Sequence, residues 1–176
     1  MSKNLPYATS ASIPSFRLHS SSFNDGATLP PAQTSARFGV AGGKDESPQL
    51  SWGPVPEGTK SLAVTVFDPD APGGGFWHWA AAGIPAGTGS LAAGAGSPDG
   101  GMLPAGAFQL KNDAGFSGYL GAAPPRGHGP HRYVVAVHAL DVADLGLGAG
   151  APSSKLGPKL DQHTLGRAVI TGRFER

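Results

Sequence analysis

The sequence contains no cysteine, and this absence excludes disulfide bonds, thiolate nucleophiles and thiolate metal ligands. No apolar run approaches the roughly 18 residues of a membrane span, so we expect no transmembrane segment. The 13 lysines and arginines nearly balance the 12 aspartates and glutamates, and none of them form a basic tract. Because proteins follow a phosphate backbone with clustered basic residues, we do not expect nucleic acid as a partner.

We also expect no targeting signal at the start of the chain. The first sixteen residues carry one lysine and no apolar stretch long enough for the core of a signal peptide. We therefore expect a cytoplasmic protein, with a precursor trimmed of its signal as the alternative. Residues 1–14 are rich in Ser, Ala and Pro and are predicted to form a flexible arm. The remaining residues, 15–176, have the length of a single domain with a continuous core.

Glycine and proline are abundant, with 28 and 17 residues, and they lie between short stretches of β-type alternation. This distribution predicts a mainly β protein in which many turns connect short strands. A long loop is predicted at 88–106, a helical turn at 141–145, and a helix from Ser153 or Ser154 to Leu165 that ends at Gly166. Predicted strands cover residues 16–20, 37–40, 49–52, 61–67, 77–84, 107–110, 131–140 and 168–174.

An acidic turn follows one of the predicted central strands. The stretch VTVFDPDAPGGGFWHW, residues 64–79, begins as a buried strand that cannot continue through its Asp-Pro-Asp-Ala-Pro segment. Asp68, Asp70 and His78 therefore lie near one strand end. Asp and Pro are also ordinary turn residues, and a plain turn is the better explanation of this stretch taken alone.

A second stretch, PPRGHGPHRYVVAVHALD at residues 124–141, leads from a Pro/Gly loop into a strand. Because side chains alternate along a strand, His131 and Tyr133 share one face and Arg132 takes the other. We expect Arg132 to bind Asp70 or Asp68 and to fix the acidic turn. If the two strand ends are neighbours, a small polar pocket with a proline floor is formed by Asp68, His78, His131 and Tyr133.

Carboxylates beside histidines favour the charged imidazolium, so this pocket is expected to suit an anion such as a phosphate ester. His128 and His131 form an HxxH spacing, but without a third firm ligand we predict no metal and no cofactor. The remaining histidines, His19, His138 and His163, are expected at packed or surface positions. Trp77 and Trp79 are assigned to the core, with an aromatic rim around a ligand as the alternative. Neither a GxSxG nucleophile elbow nor a phosphate-binding glycine loop is present.

These motifs together resemble the phosphatidylethanolamine-binding protein (PEBP) family, and most closely its bacterial Raf kinase inhibitor-like branch. The resemblance spans about residues 15–176. Its marks are SPQLSW at 47–52, DPDAP at 68–72, HW at 78–79, ND at 112–113, PPRG at 124–127 and HRY at 131–133.

The resemblance implies a large antiparallel sheet packed with a smaller sheet, a few short peripheral helices, and a shallow anion pocket at one end. It implies ligand-binding roles for Asp68, His78, Pro125, His131 and Tyr133. It also implies supporting roles for Asp70 and Arg132. No C-terminal helix like that of the animal branch follows Arg176, so a wider pocket opening is expected. Because the bacterial branch is often dimeric, a homodimer is also implied.

Three functions remain open at this point. The first is a non-enzymatic protein that binds a phosphorylated small molecule or a phospholipid head group and regulates through a protein partner. The second is a hydrolase that uses His78 or His131 as acid and base or holds a metal. The third is an inhibitor of a protease or kinase that acts through its surface loops.

Overall fold

The computed structural model describes residues 5–9 and 12–176 and contains two antiparallel sheets. The large sheet has the strand order β6-β4-β3-β7-β8, and the small one has the order β1-β2-β5. Together they confirm the predicted mainly β fold. The strands are β1 Leu18–His19, β2 Leu50–Trp52, β3 Ser61–Asp68, β4 Phe76–Pro85, β5 Ser90–Leu91, β6 Phe108–Gln109, β7 His131–Leu140 and β8 Thr164–Phe174.

The central strands of the large sheet are buried on both faces. All eight residues of β3 are buried, as the apolar residues on both of its faces predict. Side chains from alternate positions enter two separate cores: Leu62, Val64 and Val66 pack on the side of the small sheet, whereas Ala63 and Phe67 pack on the opposite side. The large sheet is therefore the middle layer of the fold.

A single short α-helix covers the outer face of the large sheet within the described residues. This helix, α1, spans Leu156–His163 and follows a 3-10 turn at Ser153–Lys155. Its Leu156 and Leu160 are fully buried in the outer core. In residues 5–9 and 12–176, no helix has the length and apolar character needed to cross a bilayer.

Several boundaries differ from the sequence prediction. Residues 37–40 form turns instead of a strand, and residues 141–145 are not helical. Helix α1 ends at His163, and Gly166 lies inside β8, where it pairs with Ala139. The ladder between β7 and β8 overrides the local helix signal because each residue that joins it gains backbone hydrogen bonds and a place in the sheet. Strand β5 lies in the segment predicted to be a loop, where Leu91 pairs with Leu50.

The segment predicted as an arm makes specific contacts with the domain. Tyr7 is only 4% exposed and packs in the outer core. The Ala8 carbonyl accepts a hydrogen bond from Arg167, whose guanidinium also lies over the Tyr7 ring. Residues 1–4 and 10–11 of the predicted arm lie outside the described residues. The division into an arm and a domain stays a prediction, but Tyr7 is part of the core.

Candidate functional site

A cavity of about 210 Å³ opens where β3 ends and β7 begins. Its polar side chains are the four that the sequence singled out, and they form the inner part of the site. The rest of the lining is almost entirely apolar. The polar residues are Asp68, His78, His131 and Tyr133, and the others are Phe38, Ala71, Pro72, Phe76, Leu120, Gly121, Ala123, Pro124 and Pro125.

Antiparallel pairing of β3 and β7 brings the first pair of polar residues together. Asp68 is the last residue of β3, His131 is the first residue of β7, and the register pairs Phe67 with Val134. His131 Nδ1 donates to Asp68 Oδ2 at 2.6 Å, while Asp68 Oδ1 accepts the Asp70 backbone N–H at 2.8 Å. Both carboxylate oxygens are thus occupied, and the carboxylate orients the His131 ring.

A third residue, His128, completes this arrangement. His131 Nε2 lies 2.6 Å from Nδ1 of His128, which is exposed on the preceding loop. Both ring nitrogens of His131 therefore have protein partners, and the chain Asp68–His131–His128 runs from the buried end of β3 to the surface. The sequence placed His128 in an HxxH spacing but did not predict this contact.

His78 reaches the cavity through a bulge in the pairing of β3 and β4. Val66 pairs with Trp79 and Phe67 pairs with Trp77, which leaves His78 without a partner residue in the register. Bulges of this kind bend a strand and redirect a side chain. Trp77 and Trp79 pack in opposite cores, so both belong to the core and neither forms a rim around the cavity.

The tautomer of His78 follows from its hydrogen bond. Its Nδ1 lies 2.7 Å from the Leu120 carbonyl, which can only accept, so Nδ1 carries the hydrogen. Complete burial lowers the pKa of His78 below its ordinary value, although the Leu120 carbonyl and Asp68 oppose that shift. The expected imidazolium is therefore wrong for His78: the ring is neutral at pH 7, and Nε2 is an acceptor on the side of the cavity.

Tyr133 contributes a hydroxyl that has no hydrogen-bond partner within the described chain. The residue is 2% exposed, and its ring meets the His78 ring edge to face at 5.1 Å between centroids. Burial raises the pKa of Tyr133, and the nearby Asp68 charge raises it further. The hydroxyl therefore stays protonated and can donate. A buried donor beside a cavity is satisfied by water or by a ligand, so Tyr133 is a candidate ligand-binding residue.

Asp70 and Arg132 lie beside the cavity and hold the acidic turn. Arg132 donates from Nε to Asp70 Oδ2 at 2.9 Å and from Nη2 to Oδ1 at 2.8 Å, and its backbone N–H also donates to Oδ2. The hydrogen bond to Arg132 lowers the pKa of Asp70, and the same bond raises the pKa of Arg132. Of the two predicted partners of Arg132, Asp70 is thus the one that binds it.

Arg176 connects backbone segments beside the cavity, and the sequence patterns did not indicate this role. The Arg176 guanidinium donates to the carbonyls of Pro124, Phe38 and Ala123, and its own carbonyl accepts from Gly127. Arg176 thereby joins the loop that carries Ala123 and Pro124 to the loop that carries Phe38. No periodic signal could have indicated contacts that depend on backbone carbonyls far apart in the sequence.

The same fold and motifs occur in known proteins. The family model described as phosphatidylethanolamine-binding protein matches residues 19–175. The chain belongs to this family. It is 41% identical to the UPF0098 protein YbcL of Escherichia coli, with 94% of this chain and 91% of YbcL covered. It is 43% identical to YbhB of the same organism, with 90% and 99% covered.

Structural similarity supports the same assignment. The crystal structure of Escherichia coli YbcL, described as a new member of the mammalian PEBP family, superposes on this chain with a TM-score of 0.88. The identity is 41%, and the alignment covers 92% of this chain and 98% of YbcL. The predicted PEBP fold is thus confirmed, together with the similarity to bacterial members of the family.

Within this PEBP fold, the predicted site residues converge as the spacing required. Asp68, His78, His131 and Tyr133 surround one cavity, and Pro125 lies on its exposed rim. In the described part of the chain, no group of three or more His, Cys, Asp or Glu side chains is arranged to hold a metal ion. His138 is buried on the face of β7 opposite the site, as predicted. That these residues bind a ligand stays a prediction.

Proposed function

We propose that the cavity binds the oxyanion of a phosphate group, presented by free phosphate, a phosphate monoester or a phospholipid head group. The observation that carries this proposal is Tyr133, which lines the cavity and whose buried hydroxyl lacks a partner in the described residues. An oxyanion oxygen would accept the hydrogen bond that this donor requires. Membership of the PEBP family agrees with a binding role.

The neighbouring rings support a ligand that both accepts and donates hydrogen bonds. His131 is held in place by Asp68, and as an imidazolium it can donate from Nε2 once that atom is released from His128. His78 is fixed by Leu120 and offers Nε2 as an acceptor. A phosphate group that keeps one proton matches this set, because it presents oxygen acceptors to Tyr133 and His131 and a hydroxyl donor to His78.

The apolar rim supports attachment of that phosphate to carbon. Phe38, Phe76 and Pro125 line the mouth of the cavity, and Phe38 is 52% exposed. An ester group could contact this rim while the phosphate occupies the polar interior. The volume of about 210 Å³ is below the roughly 300–1,000 Å³ of pockets for drug-sized ligands. We therefore expect a small head group to bind in the micromolar to millimolar range.

The test is a titration of the ¹⁵N-labelled protein with inorganic phosphate, followed by NMR. We expect shifts at Tyr133, His78 and His131, and about tenfold weaker binding in Tyr133→Phe, which removes only the hydroxyl. Tyr7→Phe is the matched control, since Tyr7 is also a buried tyrosine but lies in the outer core. Equal affinity of the folded Tyr133→Phe variant and the wild type would exclude the proposal. Glycerophosphoethanolamine and short-chain lipid vesicles then distinguish a head group from free phosphate.

We propose binding in preference to hydrolysis because no serine, threonine, cysteine or lysine nucleophile of the described chain lines the cavity, and because its Asp68 carboxylate is hydrogen bonded to His131. A panel of phosphatase and esterase substrates tests this preference, and turnover that is lost in His131→Ala would contradict it. A regulatory protein partner, inhibition of a kinase or protease, the homodimer and the cytoplasmic location stay predictions, which pull-down, light scattering and cell fractionation can test.

A further inference from the structure

The His131 ring has only one nitrogen that can meet a ligand. Asp68 accepts from Nδ1 at 2.6 Å, and both of these side chains are almost completely buried. Nε2 is therefore the remaining position from which His131, as an imidazolium, can donate to an oxyanion. In this structure Nε2 is already hydrogen bonded to Nδ1 of His128 at 2.6 Å. An anion that reached His131 Nε2 would therefore have to replace His128 as the partner of that atom.

The loop that carries His128 is built so that its ring can leave without disturbing a core. His128 is exposed and is flanked by Gly127 and Gly129, which have φ values of 75° and 81°. Nothing lies within 4 Å of the position that a Cβ would take at either glycine. The His128 backbone N–H donates to Pro125, so the loop is held at its backbone while the imidazole is held by His131.

We propose that His128 is a displaceable cap on His131 Nε2 and that it sets the affinity of the cavity for phosphate. A bound oxyanion takes the position of His128 Nδ1, and the ring turns outward into solvent. The apparent affinity is then reduced by the fraction of molecules in which the two histidines are paired. This inference rests on the proposed function, since it concerns competition with the same ligand.

The direction in which His128→Ala changes the phosphate affinity shows whether His128 is a cap on His131 or a ligand of the anion. If His128 competes with phosphate, His128→Ala exposes Nε2 and phosphate binds about 3- to 10-fold more tightly, as expected for the loss of one competing hydrogen bond. If His128 instead donates to the bound anion, the same substitution weakens binding. His19→Ala is the matched control because His19 is an exposed histidine on β1 that does not line the cavity.

The experiment uses the full chain with uniform ¹⁵N labelling, so that both the histidine rings and the Tyr133 amide are observed. We expect a scalar coupling across the hydrogen bond between His128 Nδ1 and His131 Nε2, and loss of this coupling as inorganic phosphate is added. Affinities of the wild type, His128→Ala and His19→Ala are then measured by the shift of the Tyr133 signals. Tighter binding in His128→Ala alone supports the cap.

The outcomes distinguish this inference from the proposed function. If phosphate shifts Tyr133 while the histidine coupling persists at saturation, the cap is wrong and the proposed function stands. The same conclusion follows if His128→Ala binds phosphate with unchanged or lower affinity. If phosphate shifts no cavity signal in the wild type or in His128→Ala, the proposed function is wrong and the cap is overturned with it.

Discussion

His131 donates a hydrogen bond of 2.6 Å to Asp68 although the two residues are 63 positions apart in the chain. Both are almost completely buried, and each lies at an end of a central strand. A charged group in such a place is stable only when its hydrogen bonds are satisfied, and the His131 ring and the Asp70 amide satisfy those of Asp68. The geometry of the cavity thus depends on this pair.

Asp68→Asn should weaken the site and destabilise the fold. The amide keeps the shape of the side chain, but its NH₂ group replaces one of the two acceptor oxygens. Either His131 or the Asp70 backbone N–H therefore loses its acceptor. We expect the free energy of unfolding to fall by about 1–3 kcal/mol and phosphate affinity to fall about tenfold. Urea unfolding and phosphate titration measure the two effects. Asp144→Asn, which changes an exposed loop carboxylate, is the control and should leave both nearly unchanged.

Arg132→Lys should loosen the acidic turn at little cost in stability. Lysine cannot reproduce the paired hydrogen bonds to Asp70, but both side chains are about one-third exposed, so solvent and salt screen their charges. We expect a loss below about 1 kcal/mol that becomes smaller at high salt. The pKa of Asp70, which is lowered in the wild type, should return toward its ordinary value, and a carboxyl NMR titration measures it. An unchanged pKa would contradict the role given to Arg132.

The lowered pKa of Asp70 also has a consequence for stability. Since its folded-state pKa lies below the unfolded value, its contribution is present above the ordinary aspartate range of about 4 and is lost on further acidification. In Arg132→Lys this acid-dependent loss should shrink. Unfolding measured at a series of pH values below about 5 gives the comparison with the wild type.

Mild acid should destabilise the protein through its buried neutral histidines. Burial lowers the pKa of His138 well below its ordinary value, with Arg167 adding to the shift, and burial also lowers the pKa of His78. The unfolded chain therefore binds protons that the folded chain does not, and stability falls as the pH drops below about 6.5. His138→Gln should flatten this dependence. A dependence as steep in the folded His138→Gln variant as in the wild type would contradict this assignment.

Gly121→Ala should disturb the cavity wall. An added Cβ would overlap the backbone of Thr34 and would lie 2.6 Å from the Ser35 nitrogen, so two segments must separate. We expect a loss of about 1–3 kcal/mol, as for other overpacked sites, and altered signals of Leu120 and His78. Gly87→Ala is the matched control because nothing lies within 4 Å of its added Cβ. Similar stability of the two variants would refute the close packing described for Gly121.

The sequence predicted β7 with its observed bounds. Its alternation also predicted that His131 and Tyr133 share one face and that Arg132 takes the other. Periodicity carries this information because a strand has a repeat of two. The pairing of Arg132 with Asp70 was also predicted as one of two options. These successes share a cause: each depends on local geometry plus one contact between adjacent strand ends.

The features that the sequence did not predict depend on contacts without a local pattern. The bulge at His78 results from a shift in register between two strands, and the neutral state of that ring results from burial beneath the Leu120 loop. The placement of Arg176 and the His128 contact require the folded positions of the loop that carries Phe38 and the loop that carries Pro124 and His128. Similarly, the burial of Tyr7 depends on Arg167 and His138, which come more than a hundred residues later.

The alternation along β7 also determines which length changes the protein could tolerate. Adding one residue to this strand between Arg132 and Tyr133 would turn Arg132 toward the cavity and His131 toward the outer core. Every original amino acid would still be present. By contrast, the exposed loop before it could lengthen without altering that alternation. Ligand recognition would therefore depend on which face of β7 each side chain occupies as much as on the residue types themselves.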